Sequence, residues 1–464
     1  MSKLSHHRRS DRPSQLVRPW EGLARIERAA AGLDIGAHEI MACVPEPDET
    51  QAVRAFGTYT LDLQALADWL AGHGIQTVAM ESTGVYWIPV FEVLEDRGFR
   101  CCLIRATAIR RTPGRKSDVL DCQWIQTLHS YGLLADSFRP EADLIALRTL
   151  LRHRAQLIEH RSPHVLHMQK ALSQMNIQLT QALSDITGVT GQAIIRAIVA
   201  GERDPHRLAA LRNYRCQKAA SEIALALTGT WRDEHLFVLR QSLALYDFYT
   251  RQVEACDAEI ERLYTSIRPE WSVGAEVLPC KPNSHSKNTR RASPVRGHLQ
   301  RLAGVDLVAV PGVSVALAQT ILAEAGTSMR QFPDEKHFCS WLGLAPHNDI
   351  SGGKVLKSRT LKNHNRAGQA FRQAAAAVTR AKCQFGAFYR RKKAQIGPAQ
   401  ALVATAHKIA RVVYHMIKFK VEYAVMTAEA YDQQYRAREI QALERRAARL
   451  GLALVNTATG AAVS

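Results

Sequence analysis

GRKSDVLDCQWIQTLHSYGLL, residues 114–134, holds two acids, Asp118 and Asp121, in an otherwise apolar stretch. Val119, Leu120, Trp124, Ile125 and Leu128 recur at roughly helical spacing and predict a helix with one buried side. Residues three apart share a helix face, so the two carboxylates point the same way and repel. Taken alone, the pair has an ordinary explanation. Ser117 is a candidate N-cap, Asp118 falls in the first turn where the macrodipole favours a carboxylate, and Asp121 is solvated. The other reading is that both acids are ligands, and the surrounding chain bears on the choice.

Upstream, AGLDIGAHEIMACVPEPD (31–48) reads as two strands around a tight turn at Gly36, and AVRAFGTYT (52–60) as a third. DLQALADWLAGHG (62–74) is an amphipathic helix ended by glycine, and QTVAMES (76–82) a buried strand. GVYWIPVFEVLEDRG (84–98) is a helix despite Pro89, FRCCLIR (99–105) is a strand, and the opening helix closes the series. The order β-β-β-α-β-α-β-α implies a mixed α/β sheet.

Two more acids stand in this frame. Asp34 lies inside the first strand between Leu33 and Ile35, where a carboxylate is expensive to bury unless paired or metal-bound. Glu81 ends the fourth strand after an apolar run. A first-strand acid, an acid at the end of the fourth strand and acids on the last helix is the arrangement of the RNase H-like nucleases. There the first and fourth strands are neighbours. Four clustered carboxylates imply cations, and hard oxygen donors select Mg²⁺ or Mn²⁺. Two such ions about 4 Å apart clamp the attacking and leaving oxygens of a phosphodiester displacement. Lys116 either contacts the scissile phosphate or screens the carboxylates when metal is absent. In STGVYW (82–87), Ser82 and Thr83 are candidate caps; Tyr86 and Trp87 either stack on a base or pack in the core.

The 464 residues suffice for two or three domains, and 46% hydrophobic with 22% charged residues excludes a disordered chain. The net charge of +18 suggests a polyanionic partner. Between positions 351 and 421 there is no Asp or Glu, against 16 Lys and Arg. Nine scattered cysteines without a CxxC pair indicate neither a structural zinc site nor a disulfide framework, which fits a reducing cytoplasm. The basic tail, residues 1–30, lacks the apolar segment of a signal peptide, and no apolar run is long enough to span a membrane.

Residues 31–142 thus form the α/β domain. Residues 143–267 turn helical, with two long polar-laced helices suited to an antiparallel coiled-coil hairpin or a dimer interface. Residues 268–298 are a Pro-, Ser- and base-rich linker, 299–423 a mainly helical domain, and 424–464 an Arg-rich helix and tail. VDLVAVPGVSVALAQTIL (305–322) resembles a helix-hairpin-helix: an apolar helix, a turn at Gly312, then a helix whose N-terminal amides suit a phosphate. DITGVTGQAIIRAI (185–198) has the same outline. In SGGK, Gly352 and Gly353 let the backbone approach a phosphate closely. Lys354, Lys357, Arg359, Lys362, Arg366 and Arg372 would neutralise it. By spacing alone Ser351 is an ordinary loop serine.

GLDIG, MESTGVYW and GRKSDVLDCQW, followed by VPGV, FCSWLGLAPHNDISGGK and NRAGQAFR, resemble the DEDD transposases of the bacterial insertion sequence 110 family, especially its 1111-type branch. The resemblance spans roughly residues 30–423. It implies a RuvC-like domain in which Asp34, Glu81, Asp118 and Asp121 bind metal, and a C-terminal domain in which Ser351 is the DNA nucleophile. It further implies a composite site shared between protomers, a homodimer assembling to a tetramer, and a non-coding guide RNA pairing with donor and target DNA. Such an enzyme is expected in the cytoplasm with the nucleoid. The rival functions are a junction-resolving nuclease that uses water, and a non-catalytic architectural nucleic-acid-binding protein.

Overall fold

The computed structural model describes residues 24–47, 50–82, 84–104, 118–268, 295–360 and 365–455; for Asp118, Val119 and Ala142 it describes the backbone alone. Lys116, Ser117 and Lys362, and most of the N-terminal tail and the linker, lie outside these residues. The chain divides into two units, residues 1–139 and 140–464.

In the first unit, β1 (Ala30–Ile35), β2 (Ile40–Pro45) and β3 (Gln51–Phe56) form an antiparallel meander. After α1 (Thr60–Gly72), β4 (Thr77–Glu81) returns parallel to β1 on its other side. α2 (Trp87–Asp96) then leads to β5 (Arg100–Ile104), which pairs parallel with β4. The sheet order is β3-β2-β1-β4-β5, so the first and fourth strands are neighbours as expected. Pro89 sits in the first turn of α2, where its missing N–H has no helical acceptor to lose.

Alternation along the strands sorts side chains onto two faces. Leu33, Val78 and Met80 pack with Leu66 and Leu70 of α1 and Leu94 of α2 in one core. Each of these larger side chains contributes about 1.5–3 kcal/mol of burial. Ala79, Cys102 and Ile104 face the other way, against Ile125 of α3 (Asp118–Ser130). The result is three layers, helices over both faces of the sheet.

α3 corrects one sequence expectation. Its buried stripe is Cys122, Ile125, Gln126 and His129, whereas Leu120 is 47% exposed. The stripe can hold polar groups because the sheet satisfies them. Gln126 Nε2 donates to the Ala30 carbonyl at 3.2 Å, and Gln51 Nε2 donates to Gln126 Oε1 at 2.6 Å.

The second unit is built on two long helices, α4 (Ala142–Gln174) and, beyond the short helices α5 (Leu179–Ala182), α6 (Val189–Val199), α7 (Pro205–Ala210) and α8 (Ala220–Leu227), α9 (Asp233–Ser266). α4 and α9 run antiparallel: Arg154 bonds Asp257, and His164 stacks on Tyr249. At their far end α5 to α8 close a core that includes Leu172, Ile195 and Leu239. At the near end stand α10 (Val295–Ala303), α11 (Val315–Ala325), α12 (Glu335–Trp341) and the hairpin β6 (Pro346–Ser351) and β7 (Lys354–Thr360). α13 (Arg366–Ala377), α14 (Gln384–Ile396), α15 (Pro398–Phe419) and α16 (Ala428–Arg449) complete the unit. Phe338, Phe371 and Tyr414 pack together there, and Tyr414 Oη donates to the Phe332 carbonyl at 3.0 Å.

The helix-hairpin-helix outline is met only in its second half. The expected first helix before Gly312 is a three-residue 3₁₀ turn, Leu307–Ala309, because Pro311 holds the preceding Val310 in extended backbone. Among the described residues no helix is long and apolar enough to cross a membrane.

Candidate active site

The register of β1 and β4 sets Leu33 beside Met80. Asp34 and Glu81 are the next residues on these neighbouring strands, on the face opposite the Leu33 core, and both are half-buried. This is the face that α3 covers, and the direction of α3 decides what meets the acids.

The C-terminal end of α3 is fastened where the strands begin. The Ser130 carbonyl accepts from the Ile26 and Glu27 amides, each at 2.9 Å. His129 Nε2 lies 2.9 Å from Thr77 Oγ1, and the Thr77 hydroxyl donates to the Arg100 carbonyl. That hydroxyl therefore accepts from His129 Nε2–H, and burial lowers the His129 pKa, keeping the ring neutral. Further along, a Cβ placed on Gly32 would stand 2.3 Å from the Gln126 nitrogen and 2.5 Å from the Cys122 oxygen, so helix and strand touch backbone to backbone. Only glycine allows that approach.

α3 thus runs against β1, and its first turn lies toward the C-terminal ends of β1 and β4. Position 118 is one turn before Cys122 on the sheet-facing stripe, and Asp121, half-buried, is adjacent to it. The Cys122 thiol bonds that of Cys43 on β2, which together with burial pushes the Cys43 thiol far up. The structure therefore brings Asp34 and Glu81 side by side and directs the helix positions of Asp118 and Asp121 toward them.

The acids Asp34, Glu81 and Asp121 offer carboxylate oxygens, the donor class that suits Mg²⁺ or Mn²⁺ rather than a thiolate-seeking metal. Among the described residues no three His, Cys, Asp or Glu side chains stand together as a ready metal site, and the Asp118 side chain is outside that set.

The second unit presents Ser351 differently. It ends β6, and Gly352 and Gly353 turn the chain with φ of +54° and +76°, the two positive values of a type I′ hairpin. Ser351 consequently faces Lys354 across the ladder, Lys357 faces Asp349, and Arg359 faces His347. Every hairpin residue except Thr360 is exposed. Sequence reading left this segment a loop within a helical domain; the Gly-Gly pair between two runs of strand length was the signal for a hairpin.

The remaining basic candidates divide. Arg366 opens α13 and is exposed, while Arg372 Nη2 donates to the Gly343 carbonyl at 2.8 Å. Gly312, at φ +91°, lies so close to α13 that a Cβ would stand 2.4 Å from the Ala374 carbonyl. Ser314 Oγ accepts from the Leu317 amide at 3.3 Å, so α11 caps part of its own N-terminus. The polar fasteners Gln51, Thr77 and His129 escaped sequence reading because nothing in a single strand or helix marks which distant polar group it will meet.

Residues 31–177 match the family of DEDD transposases of the IS110 type. Residues 306–390 match the family described as Transposase IS116/IS110/IS902. No curated protein matches the sequence. The two family matches fall in the expected order and together span half of the chain, which belongs to the IS110 family of transposases, enzymes that cut and rejoin DNA.

Proposed function

We propose that the chain mobilises an insertion sequence through a phosphoserine–DNA intermediate, guided by a non-coding RNA, with Asp34, Glu81, Asp118 and Asp121 as the metal-binding acids. The observation that carries the metal reading is that Asp34 and Glu81 follow the paired residues Leu33 and Met80 on neighbouring strands, on the sheet face that α3 covers. These four residues would hold Mg²⁺ or Mn²⁺. When bound, such ions stabilise charge on a phosphoryl group and acidify a coordinated hydroxyl.

Ser351 is the nucleophile. Its Oγ forms a bond to the scissile phosphorus as the bond from phosphorus to the DNA 3′-oxygen breaks. Oγ gives up its proton and the departing 3′-oxygen gains one. One phosphodiester replaces another, so rejoining needs no ATP. The hairpin holds Ser351 at an exposed tip with Lys354 facing it across the ladder, where an ammonium supports the phosphate under attack. Lys357 and Arg359 follow on the same strand and neutralise neighbouring phosphates, and Lys116 lies just before the helix of Asp118.

The motifs resemble those of the 1111-type branch, and that resemblance supports the guide RNA, the homodimer assembling to a tetramer and the work at the nucleoid. The acid-free basic run over 351–421 supports a nucleic-acid partner. If RNA reads the target, no side chain here encodes it.

The test is a covalent adduct. Cells carry the gene with its native flanking DNA, and wild type and Ser351→Ala are purified under denaturing conditions. DNA attached only to the wild type is the expected result. Strand cutting without attachment in either protein makes water the nucleophile and replaces this reading with the junction-resolving one.

A further inference from the structure

A cleft of about 380 Å³ opens in the second unit where α4, α11 and α13 meet. At its base lies Glu324, a lone acid in the apolar helix VALAQTILAEA and only 7% exposed. Arg152 grips it with two bonds, Nε to Oε1 at 2.9 Å and Nη2 to Oε2 at 2.7 Å. Arg148 Nε stands 3.2 Å from the same Oε2. Arg366 lines the cleft as well, and its side chain makes no hydrogen bond or ion pair among the described residues.

Two guanidinium groups thus hold one carboxylate, and a third lines the same cleft. A single bidentate arginine is enough to satisfy a buried glutamate, and each further cation in a half-buried site costs desolvation. Burial does lower the Arg148 pKa; Glu324 opposes the fall, and Arg152 and Arg366 add to it. Gln156, Gln369 and Gln373 line the remaining wall, offering amide donors without charge. A surplus of planar cationic forks beside neutral donors is the chemistry that recognises a phosphate oxyanion. The volume suits a nucleotide-sized group better than a lone inorganic ion.

We propose that this cleft binds a backbone phosphate of a nucleic-acid strand, with its adjoining nucleoside against the glutamine wall. Arg366 and the outward N–H groups of Arg148 contact the non-bridging oxygens, and Glu324 holds Arg152 and Arg148 in place from below. Arg366 is then a binding residue, and Glu324 a positioning residue that also tempers the charge. The proposal rests on the reading of the chain as a nucleic-acid enzyme, but it does not depend on the tetrad or on Ser351.

The experiment measures binding of full-length protein to labelled single-stranded RNA, single-stranded DNA and duplex DNA by fluorescence anisotropy across a salt series. Arg366→Gln should weaken binding on the order of tenfold at low salt and reduce the slope of log affinity against log salt by about one. Glu324→Gln should weaken binding as well, because Arg152 and Arg148 lose the carboxylate that holds them in place. The control is Arg240→Gln, an equal charge loss at an exposed position of α9. The strand type with the largest loss in Arg366→Gln identifies the ligand. If Arg366→Gln binds all three strands as Arg240→Gln does, the cleft reading is overturned. Should Glu324→Gln melt early, Arg366→Gln carries the test alone. An absent serine adduct with the Arg366 effect intact would sink the catalytic reading only; a normal adduct with no Arg366 effect would sink this one only.

Discussion

Gly32→Ala is the substitution that asks most of the geometry around the acids. The added Cβ would stand 2.3 Å from the Gln126 nitrogen, 2.5 Å from the Cys122 oxygen and 2.8 Å from the Gln126 Cα. Ordinary contact begins near 3.4 Å, so α3 must withdraw by about 1.1 Å. All three atoms are helix backbone, and no side-chain rotation relieves them. Withdrawal stretches the bond from Gln126 to the Ala30 carbonyl and parts the Cys43–Cys122 pair. Overpacking of this kind costs about 1–3 kcal/mol. The same movement carries the first turn of α3, with Asp118 and Asp121, away from Asp34 and Glu81. A misplacement of about 1 Å in a catalytic constellation is worth roughly a hundredfold in rate. Strand cleavage by Gly32→Ala at saturating Mg²⁺ should therefore fall by about that factor, beside a lowered melting temperature. A variant that melts and cuts like wild type would refute the close crossing of α3 over β1.

Three further outcomes follow from particular contacts. Replacing Gly352 and Gly353 together by alanine forces two left-handed residues, about 1–2 kcal/mol each, and should abolish adduct formation without lowering the melting temperature, since the hairpin is exposed; a lowered melting temperature would show that the hairpin is part of a core. Because the His129 pKa is lowered in the fold, the unfolded chain binds more protons around pH 6, so the stability from burying this neutral ring is complete above about 6.5 and lost as pH falls. Melting midpoints should decline below that pH, less steeply in His129→Gln; equal slopes would remove His129 as a source. Burial pushes the Cys102 and Cys339 thiols up to about 12, so a thiol reagent at pH 8 should label these two only after unfolding, and rapid labelling at either position in the native protein, read by peptide mapping, would contradict their burial.

The α/β half of the fold was legible because the short apolar runs in GLDIG and TVAMES and the 3.6-residue period in LADWL are local signals. The proposed acids stand out in the sequence for a related reason: a carboxylate inside or directly after an apolar run is a local anomaly. Glu324, in an equally apolar helix, carries the same anomaly, and its meaning emerges only when Arg152 arrives from a helix far away in sequence. The buried face of α3 was misread at Leu120 because period alone cannot tell that Gln126 and His129 find acceptors on the sheet and so may be buried instead. The hairpin at Ser351 escaped because its apolar residues, Ile350, Val355 and Leu356, are scattered and exposed: with no core face, hydrophobic patterning has nothing to show.

The central claim is that Asp34, Glu81, Asp118 and Asp121 form one divalent-ion site at the ends of β1 and β4. The most direct measurement is Mn²⁺ titration of the purified protein, followed by electron paramagnetic resonance, with wild type beside Asp34→Asn and Asp121→Asn. Tight binding by wild type, lost or strongly weakened in both variants while their melting temperatures hold, is the expected result. Equal Mn²⁺ affinity in all three proteins would contradict the site.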